Sequence, residues 1–99
     1  MDNFTAIQAS LTSPLVVSAV MLDSKGNAID LTNATAPSII LIRDGKVIGG
    51  KACAVVAASQ GIVGASFTAT ELQTYGVGVI IYRITTGSYP SATGAIKLS

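Results

Sequence analysis

The breaks in this chain leave the pieces between them too short to be anything but strands. Turn-forming clusters fall at Ser13-Pro14, Asp23-Ser24-Lys25-Gly26-Asn27, residues 32–37, Asp44-Gly45, residues 57–61 and residues 86–91. That is roughly the 8–12-residue beat of a β-sandwich. Between them lie apolar, β-branched runs: residues 15–22, 38–43, 62–67, 76–85 and 92–98. Such residues suit a pleated, half-buried surface. A weaker alternation over residues 1–12 allows a first strand, and residues 28–31 read as a short extended piece. Asp44-Gly45 is the strongest hairpin signal, because both positions of a tight two-residue loop need φ > 0. The strand after it, residues 46–56, is interrupted by Gly49-Gly50, which predicts a bulge or bend.

Only residues 68–74 have helical character. Thr68 or Thr70 can cap a single turn there, with Glu71 near its positive end. No amphipathic helix is available to cover a parallel sheet, which excludes an α/β fold. The reading is all-β: an Ig-like antiparallel β-sandwich of seven or eight short strands with one short helical turn. At 99 residues the chain makes one domain, 1–99, with a small core.

Two strands break the usual rule that a sandwich strand shows one face to water. Ile39-Ile40-Leu41-Ile42 and Val79-Ile80-Ile81-Tyr82 are apolar on both faces. Either a loop or terminus caps the outer face, or another subunit does. Charged residues are only 11% of the chain, less than half of the usual ~25%, which favours the second alternative. Ile40, Ile42, Ile81 and Arg83 are therefore the candidate interface residues on strands. Tyr89, beside Pro90 in a loop, is the candidate at a tip.

Chemistry is hard to place in this sequence. There is no histidine, so Ser-His-Asp and Cys-His arrangements are absent. The acidic residues are scattered, and no glycine-rich segment follows a strand into a helix to cradle a phosphate. Asp23-Ser24-Lys25-Gly26-Asn27 with Asp30 has the outline of a calcium loop. However, Lys25 stands where a ligand oxygen is needed and no bidentate Glu follows. Turn chemistry alone explains those residues. Cys53 is the lone cysteine, set in an apolar run, and reads as a small buried hydrophobe. We expect no catalytic residue, no cofactor and no metal.

Partners follow by exclusion. The net charge is +1 and the cations are dispersed, so neither nucleic acid nor an anionic membrane surface is expected. With 5% aromatic residues and no Trp, a stacking platform is difficult to build. No apolar run is long enough to span a bilayer. No Lys or Arg precedes position 25, so a signal peptide is not expected.

A series of phrases in order resembles one family. Leu22-Asp23-Ser24-Lys25-Gly26-Asn27-Ala28-Ile29-Asp30-Leu31-Thr32-Asn33-Ala34-Thr35 is similar to a D-x-x-G-x-x-x-D-L-T-G-A-T stretch, with Asn33 where Gly is usual. Asn tolerates the same left-handed backbone. Next come the apolar strand, Asp44-Gly45, Gly50-Lys51-Ala52, and Ala57-Ala58-Ser59-Gln60-Gly61-Ile62-Val63, similar to a D-A-A-x-G-x-V turn but lacking its Asp. Thr68-Ala69-Thr70-Glu71-Leu72 and Gly94-Ala95-Ile96-Lys97-Leu98 close the series, and Tyr75 precedes Gly76 where the family places it after. Over roughly positions 15–98 the chain resembles the N-terminal Ig-like domain of tailed-phage baseplate upper proteins and related tail and fibre components.

The resemblance implies a non-enzymatic virion structural protein made in the host cytoplasm, a tail, baseplate or fibre-attachment adaptor. It would contact other virion proteins and form a homo-oligomer in the particle. Members of that family continue into a receptor-binding or fibre part, so this chain is expected to act as a stand-alone adaptor. Two alternatives stay open: a capsid decoration (cement) protein, and a host-surface or carbohydrate-binding Ig-like module using Tyr75, Tyr82 or Tyr89.

Overall fold

The computed structural model describes residues 4–32, 36–87 and 90–99. Eight strands form in chain order: β1 Phe4–Ala9, β2 Leu15–Val20, β3 Ser38–Arg43, β4 Lys46–Ala52, β5 Ala54–Ala57, β6 Ile62–Phe67, β7 Gly78–Thr85 and β8 Ala92–Leu98. A 3-10 turn at Ala58–Gln60 precedes β6, and one helix, α1 Ala69–Tyr75, separates β6 from β7. The strands make a five-stranded sheet, β1-β8-β7-β3-β4, and a three-stranded sheet, β2-β6-β5. The fold is an all-β sandwich, as the turn spacing predicts.

Most strand ends come from the local chemistry read in the sequence. Asp44 and Gly45 both adopt positive φ, 52° and 78°, and close the β3-β4 hairpin with two residues. The Asp23 carboxylate accepts the Lys25 and Asn27 amides at 2.9 and 3.0 Å, so its turn is built by its own side chain. Thr68 caps α1 and forms a full capping box with Glu71. The predicted bulge appears as a register shift: Leu41 pairs with Gly49, but Ile42 pairs with Val47.

Two features depart from the sequence reading. First, β1 pairs with β8 in parallel, whereas every other strand pair among the described residues is antiparallel. The Leu11 N–H donates to Ser99 O and the Ser99 N–H to Ala9 O, which extends that pairing beyond the strand ends. Second, residues 46–56 are not one strand. The chain leaves the large sheet after Ala52 and enters the small one at Ala54. Cys53, at the crossing, donates its N–H to Pro37 O at 2.9 Å. Residues 28–31, read as a short extended piece, make one isolated bridge. Ala28 bridges Leu22, and Ile29 and Leu31 turn inward.

The core lies between the sheets. Ile39, Leu41, Ile80, Tyr82, Ile84, Ile96 and Leu98 from the large sheet meet Val17, Val63, Ala65 and Phe67 from the small one. Met21, Ile29 and Leu31 close one part of it, and Leu72 of α1 packs against it as well. Strand alternation then decides what is left outside: each inward residue on β3 and β7 puts its neighbour on the outer face.

Candidate functional site

The outer face of the five-stranded sheet is where the apolar residues that the core does not use collect. On β7 the inward residues are Ile80, Tyr82 and Ile84, so Val79, Ile81 and Arg83 face out. On β3, Ile39 and Leu41 are buried, so Ile40 and Ile42 face out. The registers place these residues side by side. Ile42 lies between Val47 on one side and Ile81 on the other, and Ile81 is opposite Ala95. The next row reads Gly50, Ile40, Arg83, Thr93. Cross-strand neighbours at this spacing are in side-chain reach of one another.

Four of the five candidate interface residues, Ile40, Ile42, Ile81 and Arg83, thus form one patch. The fifth, Tyr89, lies outside the described residues. The sequence reading missed two contributors, Val79 and Val47. Val79 could have been found by counting twos from Ile81. Val47 could not, because its face depends on the bulge opposite Leu41. The patch is open to solvent: Ile81 is 38% exposed, Val79 54% and Val47 64%. Ile40 and Ile42 are half-buried among their neighbours. Of the two alternatives for these strands, a cap by the chain's own loops leaves β7 and β4 uncovered.

Charge on this face has one sign. Arg83 and Lys97 are exposed and form no ion pair among the described residues, and β3, β4, β7 and β8 carry no carboxylate. Two other cations, Arg43 and Lys51, are occupied within the fold. Arg43 donates to the carbonyls of Tyr75 and Gly76, fastening the end of α1 to the β3-β4 hairpin. Lys51 donates to Ser66 O at 2.6 Å, pairs with Glu71 at 2.8 Å and lies 4.7 Å from the centre of the Phe67 ring. The Lys51 ammonium, followed by the Thr68 amide, holds the Glu71 carboxyl below its ordinary value.

Among the described residues no group of acidic or cysteine side chains gathers into a metal-binding cluster. Hydrogen bonds from the Thr32 hydroxyl and amide hold Asp30 below its usual range. Cys53 is half-buried rather than fully buried, and burial pushes its thiol up, away from the reactive thiolate. Two of the three tyrosines considered for a binding platform are used by the fold. Tyr82 is buried, and the Tyr75 hydroxyl sits over Gly49, where an added Cβ would come within 2.8 Å of it. The seam lined by Leu41, Phe67, Leu72, Tyr75, Ile80, Ile96 and Leu98 is apolar and packed closed. No helix among the described residues is long and apolar enough to cross a membrane.

The sandwich is similar in fold to a solved phage protein domain. That domain is the "N-terminal domain of phage TP901-1 ORF48". The two superpose with a TM-score of 0.74 over 99% of this chain and 87% of the other, at 12% sequence identity. At that identity the likeness is one of fold. No family model and no curated protein sequence matches the chain. The shared fold covers nearly the whole of both chains, so the parallel β1 and the sheet-switching β4-β5 segment fall within the region that superposes.

Proposed function

We propose that this protein is a non-enzymatic structural component of a phage virion, of the tail or baseplate type, that works by protein-protein contact. The observation that carries this reading is the open apolar face around Ile42 and Ile81. Water-exposed Ile and Val aligned across three strands mark a surface that is covered in the working state. The similarity to a phage protein domain along almost the whole chain supports placing that contact in a virion. Charge supports a partner other than the same face of a second copy, since self-docking would bring Arg83 and Lys97 close to their own duplicates. The face fits an apolar partner surface with carboxylates at its rim.

The test is incorporation. Ile42→Thr with Ile81→Thr keeps β-branched side chains on both strands while removing apolar surface. The double variant is expected to fold and to be lost from purified particles. Cross-linking of the wild-type protein in particles is expected to reach a tail or baseplate component. Cross-links to the major capsid protein instead would place it on the shell, and normal incorporation of the double variant would remove the face from the mechanism.

A further inference from the structure

The sandwich has a second outer face, on the three-stranded sheet, and its chemistry differs from that of the first. Val17 is buried, so its neighbours Val16 and Ser18 face out, and the register sets them beside Ser66 and Gly64 of β6. β5 lies on the other side of β6. A Cβ added to Gly64 would meet a Val56 methyl at 3.4 Å and the Ser18 hydroxyl at 4.0 Å, so these two side chains flank Gly64 on the outer face. Val16 is 63% exposed and Val56 65%. Ala54 is also exposed. No residue of β2, β5 or β6 is charged.

Carboxylates stand at one end of this face. The Ile29 N–H donates to Met21 O and the Leu31 N–H to Ala58 O, so residues 29–31 run across the end of the small sheet, just past β2 and β5. Ile29 and Leu31 are buried, and Asp30 between them is exposed. Hydrogen bonds from the Thr32 hydroxyl and amide favour its ionised form. Asp23 lies in the turn that follows β2, where it accepts the amide of the exposed Lys25. At the opposite end of the sheet Lys51 and Glu71 neutralise each other.

We infer that the large-sheet face of one copy docks on the small-sheet face of the next, with Arg83 and Lys97 set toward Asp30. This rests on the reading of the large-sheet face as a covered surface, and it names the occupant as a second copy of this chain. Charge selects the pairing. The large face is apolar and carries two cations without a carboxylate on its β3, β4, β7 and β8 strands, whereas the small face is apolar, uncharged along its strands and acidic at its Asp30 end. The large face therefore meets the small face of another copy without the repulsion that its own duplicate would impose. The two faces lie on opposite sides of the sandwich, so every docked pair leaves one face of each kind free. Such a contact is heterologous, and it propagates into a ring or a filament instead of stopping at two. The chain extends over 35 × 22 × 19 Å, so a whole face supplies no more than the roughly 800 Å² per partner of a standard interface, and the association is sought at high concentration.

The experiment is sedimentation velocity of the purified chain up to millimolar concentration, with circular dichroism to show that each variant is folded. The wild type is expected to associate beyond the dimer as concentration rises. Ile42→Thr with Ile81→Thr spoils the large face, and Val16→Lys with Val56→Lys spoils the small one. Each double variant is expected to raise the onset of association at least about tenfold, the equivalent of one buried apolar side chain lost. Mixed in equal amounts, the two are expected to form a dimer and go no further, because each supplies the face that the other lacks. Asp30→Lys is expected to weaken the wild-type association. A wild type that is monomeric at millimolar concentration overturns the inference. So does one that stops at a dimer, a mixture that stays monomeric, or an Asp30→Lys variant that associates as the wild type does. A monomeric wild type combined with loss of the Ile42→Thr, Ile81→Thr variant from particles overturns this inference and leaves the proposed function standing. Normal incorporation of that variant overturns the reading of the large face itself.

Discussion

Replacing Gly61 by alanine tests how the segment after β2 is held to the rest of the sandwich. Gly61 ends the 3-10 turn with φ +70°, a conformation in which an L side chain costs roughly 1–2 kcal/mol. An added Cβ would also come within 2.9 Å of two backbone oxygens, those of Met21 and Ile29. Neither can yield cheaply. The Met21 oxygen accepts the Ile29 N–H at 3.0 Å, and both residues are buried. Relief requires separating that pair or the Met21-Gly61 hydrogen bond, at about 1 kcal/mol each, and loosening the packing of Met21. The expected total is about 3–5 kcal/mol, a large part of the roughly 5–15 kcal/mol that holds a domain together. Gly45→Ala is the control. Its φ is +78°, but nothing lies within 4 Å of the added atom, so only the conformational cost of roughly 1–2 kcal/mol applies. Urea unfolding at equal m-values gives both numbers. If Gly61→Ala falls within about 1 kcal/mol of Gly45→Ala, the segment is not seated against Gly61 as described and the reasoning fails.

Two further predictions concern the two faces of the large sheet and the capping box. Ile39→Ala in the core is expected to cost about 2–5 kcal/mol, while Ile81→Thr on the open face costs under about 1 kcal/mol, both read by thermal unfolding. A reversed order would mean that the faces are assigned wrongly. Glu71 is held below its ordinary value of 4.5 by Lys51 and Thr68, so its contribution to stability is present above that value and is lost as pH falls through the lower folded-state value. Glu71→Gln keeps an acceptor for the Thr68 amide and removes the charge. The wild-type advantage over it is expected at neutral pH, to shrink with added salt and to vanish in acid. An advantage that persists in acid would assign the effect to the cap alone.

Much of the candidate face was legible because β side chains alternate strictly. Once residues 38–43 and 76–85 are strands with Ile39, Leu41, Ile80 and Tyr82 inward, Ile40, Ile42, Ile81 and Arg83 must share the opposite side. That the two strands are neighbours was not legible. Pairing of β3 with β7 spans a long loop of sequence, and no local signal announces it. Val47 joined the face only through the bulge. Cys53 was read as buried because its neighbours are apolar, yet it stands where the chain crosses between sheets and is covered only in part.

By itself, then, the sequence determined most of the elements: the main turns that bound the strands, the Asp44-Gly45 hairpin, the capped helical turn, and the alternation of side chains along β3 and β7. These depend on backbone preferences and side-chain alternation over a few residues. The tertiary structure alone decided which strands are neighbours, that β1 runs parallel to β8, and that the chain changes sheets at Cys53. Those outcomes depend on contacts between residues far apart in the chain, whose favourable geometry exists only once the two sheets have closed over their common core.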